Sequence, residues 1–391
     1  MVGKRAGRLF TEFFESEKAG GFTLIFCAAV SLVLANSAGA AGYGALWHHE
    51  VAGLSVAHWI NDGLMAIFFL LIGLELEREL YSGEISSFSK ASLPVFAALG
   101  GILLPAGIHL LLNHGTPTQA GAGIPMATDI AFAIGILSLL GDRVPLALKV
   151  FLTTLAVIDD LCAILTIALF YTTGIAWFDL GMAAAVFVVL LALNRAKVYT
   201  GWPYLLGGVV MWYFMHRSGV HATITGILVA FAYPYGDGST RSPSYKLQHA
   251  LHKPVAFLIL PLFALANTAI ALPEAWFSGL TTSNSLGIAL GLIVGKPLGI
   301  MAFSGLAVAL GISQLPRGLG WKHLLGTGFL AGIGFTMSIF ITLLAFDDEA
   351  LVVQSKIAVM VASLVGALIG LFTLKAVLPA APSATGNDEE D

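Results

Sequence analysis

From residue 18 almost to its end, the chain alternates long apolar runs with short polar ones. Bounded by charged residues or Gly/Pro clusters, the runs fall at 18–36, 58–80, 92–112, 121–140, 147–171, 179–194, 200–215, 220–234, 254–272, 286–310, 324–346 and 352–376. About 20 apolar residues of helix cross the hydrocarbon of a bilayer, so this pattern predicts an all-α polytopic membrane protein of about twelve spans. The loops are short and leave no separate soluble domain. Residues 1–378 read as one integral-membrane domain, and the small, polar, acidic tail 379–391 as disordered. The start of the chain imitates a secretory signal, with Lys4, Arg5 and Arg8 ahead of an apolar run. Glu12, Glu15 and Glu17 do not suit a signal head, so a retained first span is expected.

Composition agrees, with 57% hydrophobic and 11% charged residues where soluble domains average about 25% charged. A net charge of −4 without any Lys/Arg cluster argues against a nucleic-acid partner. Cys27 and Cys162 lie inside apolar runs and read as buried thiols. Charge also orients the chain. With the N-terminus inside, sixteen of the 19 Lys and Arg fall in or beside cytoplasmic loops, Arg217 and Lys356 fall outside, and Lys296 lies within a span. Both termini are therefore expected in the cytoplasm of a multi-pass inner-membrane protein.

The fifth run carries two adjacent acids, Asp159 and Asp160, near its middle. One Asp at that depth costs about 2.5–3.5 kcal/mol, and no packing need is met by it, so a cation site, proton relay or catalytic acid pair is indicated. In the tenth, Lys296 sits too deep to snorkel and needs a carboxylate partner or must give up its charge. Asp129, Asp159 and Asp160 are the candidates. Adjacent helical residues point about 100° apart, so one of the Asp pair can face Lys296 while the other faces a cavity.

The fourth run, with Gly121, Gly123 and Pro125 ahead of Thr128 and Asp129, reads as a broken helix. The eleventh repeats the theme through Gly326, Gly328, Gly332, Gly334, Thr336 and Ser338. These are the middle members of two trios, spans 3–5 (about 92–171) and 10–12 (about 286–376), that start from opposite sides of the membrane. Interrupted segments at matching places in two inverted halves point to a transporter site between them.

In the second span, Asn61 and Asp62 lie near the outer interface, and Glu75, Arg78 and Glu79 form a cluster at a cytoplasmic funnel. Glu77 and Glu79 suit a solvated helix end that Arg78 offsets. His221 opens the eighth span. His249 and His252, in the following loop, make a candidate pH-responsive patch.

Taken together, Trp59-Ile-Asn-Asp62, Gly73-Leu-Glu75, Ala127-Thr128-Asp129-Ile-Ala-Phe132, Ile158-Asp159-Asp160-Leu, Val220-His221-Ala-Thr223, Gly295-Lys296-Pro297-Leu-Gly299 and Gly332-Ile-Gly-Phe-Thr336-Met-Ser338 resemble the NhaA family of bacterial sodium/proton antiporters. The likeness runs in order over about residues 18–378, and inverted repeats with broken helices are known in that family. The resemblance implies twelve helices, two of them discontinuous and crossing near the midplane, with the remaining helices on a scaffold or dimer side. It implies that Asp159 and Asp160 bind the transported Na⁺, Li⁺ or protons, beside Thr128. It implies that Asp129 and Lys296 balance charge at the crossing, Lys296 close to Asp159, and that Glu75 and His221 tune pH response. No cofactor is implied, and membrane lipid and a homodimer are the expected surroundings. Two departures stand out. Tyr245-Lys246-Leu-Gln248 replaces the acidic and basic residues that relatives carry before the paired histidines. The outer loop 36–57 is also shorter than the dimerising hairpin of relatives.

The expected mechanism is exchange by competition of protons and Na⁺ for the same buried oxygens, with rocking of one bundle against another and more protons than sodium ions moved per cycle. An intramembrane aspartyl protease would want a Tyr-Asp and a Gly-x-Gly-Asp pair, and neither is present. A passive channel would want a ring of equivalent ligands. Neither rival explains Lys296.

Overall fold

The computed structural model describes residues 2–172, 174–274 and 276–379, with side chains from residue 18 onward except at 84 and 88–90. The tail expected to be disordered, 380–391, lies outside the described residues.

Every predicted run contains helix. Among the described residues, eight helices are long and apolar enough to cross a membrane, and two bent pairs, Pro117–Met126 with Ile130–Ser138 and Trp321–Ala331 with Phe335–Ala345, bring the number to ten. The bends are 45° and 47°. The other two expected spans are present but shorter. The seventh is Trp202–Ser218, 17 residues, and the eighth is Ile224–Ala232, only nine. At 1.5 Å per residue the eighth helix is about 14 Å long and cannot cross the hydrocarbon unaided. Gly219, at φ +82, ends the seventh helix in a left-handed turn that glycine adopts without strain.

Local chemistry sets the other ends. Asp348 caps the last helix, Glu349–Val377, by accepting from the amides of Ala350 and Leu351 at 2.8 and 3.4 Å. Thr282 caps Ser283–Leu290. The tenth span is not uniform: between Ser283–Leu290 and Lys296–Ala309 it passes through a π turn, Gly291–Gly295. Similar π turns occur at Trp59–Leu64 in the second span and Val255–Ile259 in the ninth.

Small residues decide the closest helix contacts, because backbones approach only where no Cβ intervenes. Phe88–Asn113 lies along Lys296–Ala309, and Gly100 and Gly299 face each other so closely that a Cβ on either would run into the other's carbonyl. Gly21 meets the Ala131 carbonyl in the same way, which seats Val2–Ala35 against the second half of the fourth span. Gly332, expected to mark a helix break, also meets the Leu292 carbonyl. Break and close approach are the same feature there.

The outer loop holds a short helix, Ala40–His48, and a hairpin of two-residue strands, Glu50–Val51 and Leu54–Ser55. Ala52 and Gly53, at φ +53 and +83, form its turn, as the right-handed twist of hairpins requires.

Candidate functional site

The broken helices cross, and their breaks are pinned to each other. The Asp129 amide donates to the Ile333 carbonyl at 2.7 Å, and the Ser338 hydroxyl donates to the Ile124 carbonyl at 2.6 Å. A break inside a membrane frees backbone groups that must find partners, and here each break supplies the other's.

Asp129 serves two helix starts at once. One oxygen accepts from the Phe132 amide at 2.9 Å, capping its own helix Ile130–Ser138. The other accepts from the amide and hydroxyl of Thr336 at 3.0 and 2.6 Å, at the start of Phe335–Ala345. Two amino-terminal helix ends, each carrying partial positive charge, thus face one carboxylate. The opposite ends receive donors. Lys296 Nζ reaches the Met126 carbonyl, at the close of Pro117–Met126. Thr128 Oγ1 lies 2.8 Å from the Ala331 carbonyl, at the close of Trp321–Ala331.

The Asp pair divides as helix geometry requires. Asp159 Oδ2 is 2.7 Å from Lys296 Nζ and 2.6 Å from Thr128 Oγ1. Asp160 instead lines a cleft of about 50 Å³, shared with Glu75, Thr128, Asp129 and Thr336 and walled by apolar side chains such as Phe68, Leu71 and Leu260. Both acids are buried, and Lys296 is 0% exposed. Asp159 Oδ1 and Asp160 Oδ1 are shielded from solvent and make no hydrogen bond among the described residues. Buried carboxylate oxygens without donors suit a hard cation or a proton, the two species that supply positive charge without needing an acceptor.

Several predicted residues lie elsewhere. Pro125 packs on the π turn before Lys296, so that a Cβ on Gly291 would come within 2.6 Å of it. His221 Nε2 is 2.8 Å from the Tyr171 carbonyl and ties the start of the eighth span to the end of the fifth, away from the cleft. His249 and His252 are not in a loop: Pro243 at the first turn starts a helix, Pro243–Pro254, that contains both. His249 is exposed and stacks on Tyr245, with ring centroids 6.2 Å apart. It is Gln248, on the buried side of that helix, that donates to Glu75 Oε1 at 3.4 Å. The departure from the family pattern therefore touches the cleft directly. Arg78 is 3.9 Å from Glu79, as a solvated end would have it, but Glu77 is buried with Oε2 unpartnered among the described residues. Its solvated reading is corrected: the helix continues to Ser82 and turns Glu77 inward.

Sequence reasoning missed one polar chain. Lys356, expected at the outer surface, is buried and donates to Asn267 Oδ1 at 3.2 Å, and Asn267 Nδ2 donates to Asn61 Oδ1 at 2.7 Å. This links the twelfth, ninth and second spans. Its signal was the depth of Lys356, seven residues past the start of its helix at Glu349.

Two interrupted helices that cross through mutually capped breaks, with acids and a lysine gathered there, define a secondary transporter of the broken-helix class. Comparison with known proteins narrows the class. A family model described as Na⁺/H⁺ antiporter 1 matches residues 11–374. The chain is 61% identical to the Na⁺/H⁺ antiporter NhaA 1 of Flavobacterium johnsoniae, over 95% of this chain and 97% of that protein. It is 62% identical to the NhaA antiporter of Flavobacterium psychrophilum, over 95% and 96% of the two chains. With that of Vibrio cholerae the identity is 48%, over 95% and 98%. The chain belongs to the NhaA family of bacterial Na⁺/H⁺ antiporters.

Proposed function

We infer that the chain works as its family is named, as a secondary transporter that exchanges Na⁺ for protons across the membrane, and is not an enzyme. The observation that carries the site assignment is the division of labour between neighbours: Asp159 is bound to Lys296 and Thr128, while Asp160 faces the cleft with one oxygen unpartnered among the described residues. Asp160, with Asp159 beside it, is the place where Na⁺ or Li⁺ and protons compete as cargo. Thr128 holds Asp159, and Asp129 stays occupied by the two helix starts. Glu75 lines the same cleft, and its carboxyl draws cations toward it. The arrangement needs no bound cofactor.

Occupation by a proton or by a cation is mutually exclusive at such a site, so exchange falls as pH falls and protons hold the oxygens. Rocking of the trios 92–171 and 286–376 against the other helices would expose the cleft to either side in turn. The positive-inside bias supports an inner-membrane placement with both termini cytoplasmic. A second copy of the chain is the expected partner, though strands of two residues give the outer hairpin few edge groups for it.

The test uses inside-out vesicles with a preformed pH gradient, titrated with Na⁺, Li⁺ and K⁺. The wild type dissipates the gradient on adding Na⁺ or Li⁺ but not K⁺. Asp160→Asn abolishes the response; a Na⁺-dependent proton movement that survives in that variant refutes the assignment.

A further inference from the structure

A second cluster lies about 20 Å along the second span from Glu75, at thirteen residues of 1.5 Å each. We propose that His58, Asp62 and His216 form a binding site for one divalent transition-metal ion of the zinc class, joining the start of the second span to the end of the seventh.

The three side chains come from Val56–His58, the π turn Trp59–Leu64 and the last turn of Trp202–Ser218. Asp62 Oδ2 is 3.2 Å from His58 Nε2 and 3.5 Å from His216 Nδ1, and the three ligand atoms all lie within 4.8 Å of one another. A tetrahedral ion with bonds of about 2.0–2.1 Å sets its ligands about 3.3 Å apart, so the carboxylate already stands at ligand spacing from both rings. His58 Nε2 is shielded from solvent and faces the Asp62 carboxylate, with no other polar partner among the described residues. An imidazole nitrogen so aimed is what a metal takes up. Two imidazoles and one carboxylate suit Zn²⁺, Ni²⁺, Co²⁺ or Cu²⁺ rather than Mg²⁺ or Ca²⁺, which favour oxygen ligands alone.

The surroundings hold the ligands in place. Trp212 Nε1 donates to the Asp62 carbonyl at 3.2 Å, and its ring stacks on His216 at 5.6 Å with 9° between planes. Trp59 also stacks on Trp212, with ring centroids 5.7 Å apart. The neighbouring cation, Arg217, is engaged with Asp179 at 3.4 Å and leaves Asp62 to the histidines. Side-chain exposures of 38%, 25% and 30% for His58, Asp62 and His216 leave a fourth position open to water. The site sits beside a cavity of about 750 Å³, lined by Trp59, Gly63, Leu205, Val209, Trp212 and Val229, that lies between these two spans. A bound ion would bridge them at one end of that gap.

The experiment uses the full-length, untagged protein in detergent and metal-free buffer. Calorimetric titration with Zn²⁺ should show one ion per chain in the micromolar range. Cu²⁺ should quench part of the tryptophan fluorescence through Trp212 and Trp59, and Zn²⁺ in large excess, since Cu²⁺ binds such a site more tightly, should reverse the quenching. His216→Ala should weaken Zn²⁺ binding at least about 100-fold while Na⁺-driven proton exchange in vesicles persists, showing a folded protein. His216→Cys, which keeps a ligand, should retain binding. The proposal fails if the wild type binds no Zn²⁺ at 100 µM, a concentration about a hundredfold above the expected range, or if His58→Ala/His216→Ala binds as the wild type does.

Discussion

Lys296→Met isolates the ion pair at the crossing. The wild-type ammonium and Asp159 are both fully buried, 2.7 Å apart, and the carboxylate keeps one other polar contact, to Thr128. On a protein surface such a pair would be worth about 0–1 kcal/mol. Here the substitution leaves a buried acid without its cation, at a cost of about 3–5 kcal/mol. At about 1.4 kcal/mol per tenfold, the folded-to-unfolded ratio drops by two to three and a half powers of ten. The double variant Lys296→Met/Asp159→Asn carries no buried charge at this place, and Thr128 can still donate to the new amide. It should recover most of the loss, giving a coupling of at least about 2 kcal/mol. Unfolding in detergent, at one Na⁺ concentration so that bound cargo does not shift the midpoint, measures all four corners of the cycle. A loss under about 1 kcal/mol, or a double variant equal to the sum of the singles, would refute the pairing.

Thr336→Val removes one donor from Asp129 and keeps the volume; with the two amide donors left in place it should cost about 1.5–3 kcal/mol by the same unfolding assay, and Thr336→Ser should restore it. Gly299→Ala forces a Cβ into the Gly100 carbonyl, and backbone on both sides cannot yield, so the yield of folded protein and its thermal midpoint should fall. Gly305→Ala, six residues on in the same helix and facing open space, should be neutral or stabilise by about 0.5–1 kcal/mol. Gln248→Glu would set a second carboxylate where the amide now meets Glu75 at 3.4 Å. Two buried acids that close repel, and Glu75 also loses the amide that donates to it, so this variant should be less stable than the wild type, read from its melting midpoint in detergent.

Much of the site was legible because a charge inside an apolar run has few explanations. Asp159, Asp160 and Lys296 stood out on that ground, and Gly/Pro density marked both breaks. What the pattern could not carry was which groups meet. Nothing local to Asp129 says that it caps the helix starting at Phe335, more than two hundred residues away. The chain Lys356–Asn267–Asn61 was hidden for the same reason, since a lysine near a span's end looks interfacial until its partner is known. Glu77 and the His249–His252 segment were misjudged because helix boundaries are blurred in sequence: each helix ran further than its apolar residues suggested. The eighth span erred the other way, its helical part covering nine of the fifteen residues counted.

The π turn at Gly291–Gly295 has a consequence for how this protein tolerates insertions and deletions. A π turn holds one residue more than the α-helical turn it replaces. Removing any one residue of 291–294 would let the tenth span close into continuous α-helix with its hydropathy almost unchanged. Because the extra residue is absorbed within a single turn, everything beyond would keep its direction. Lys296 would still point toward Asp159, and Gly299 toward Gly100. The same deletion within the regular helix Lys296–Ala309, which has no spare residue to give up, would turn everything beyond it by about 100° and shift it by about 1.5 Å. A single deletion should therefore be better tolerated at 291–294 than further along the same span.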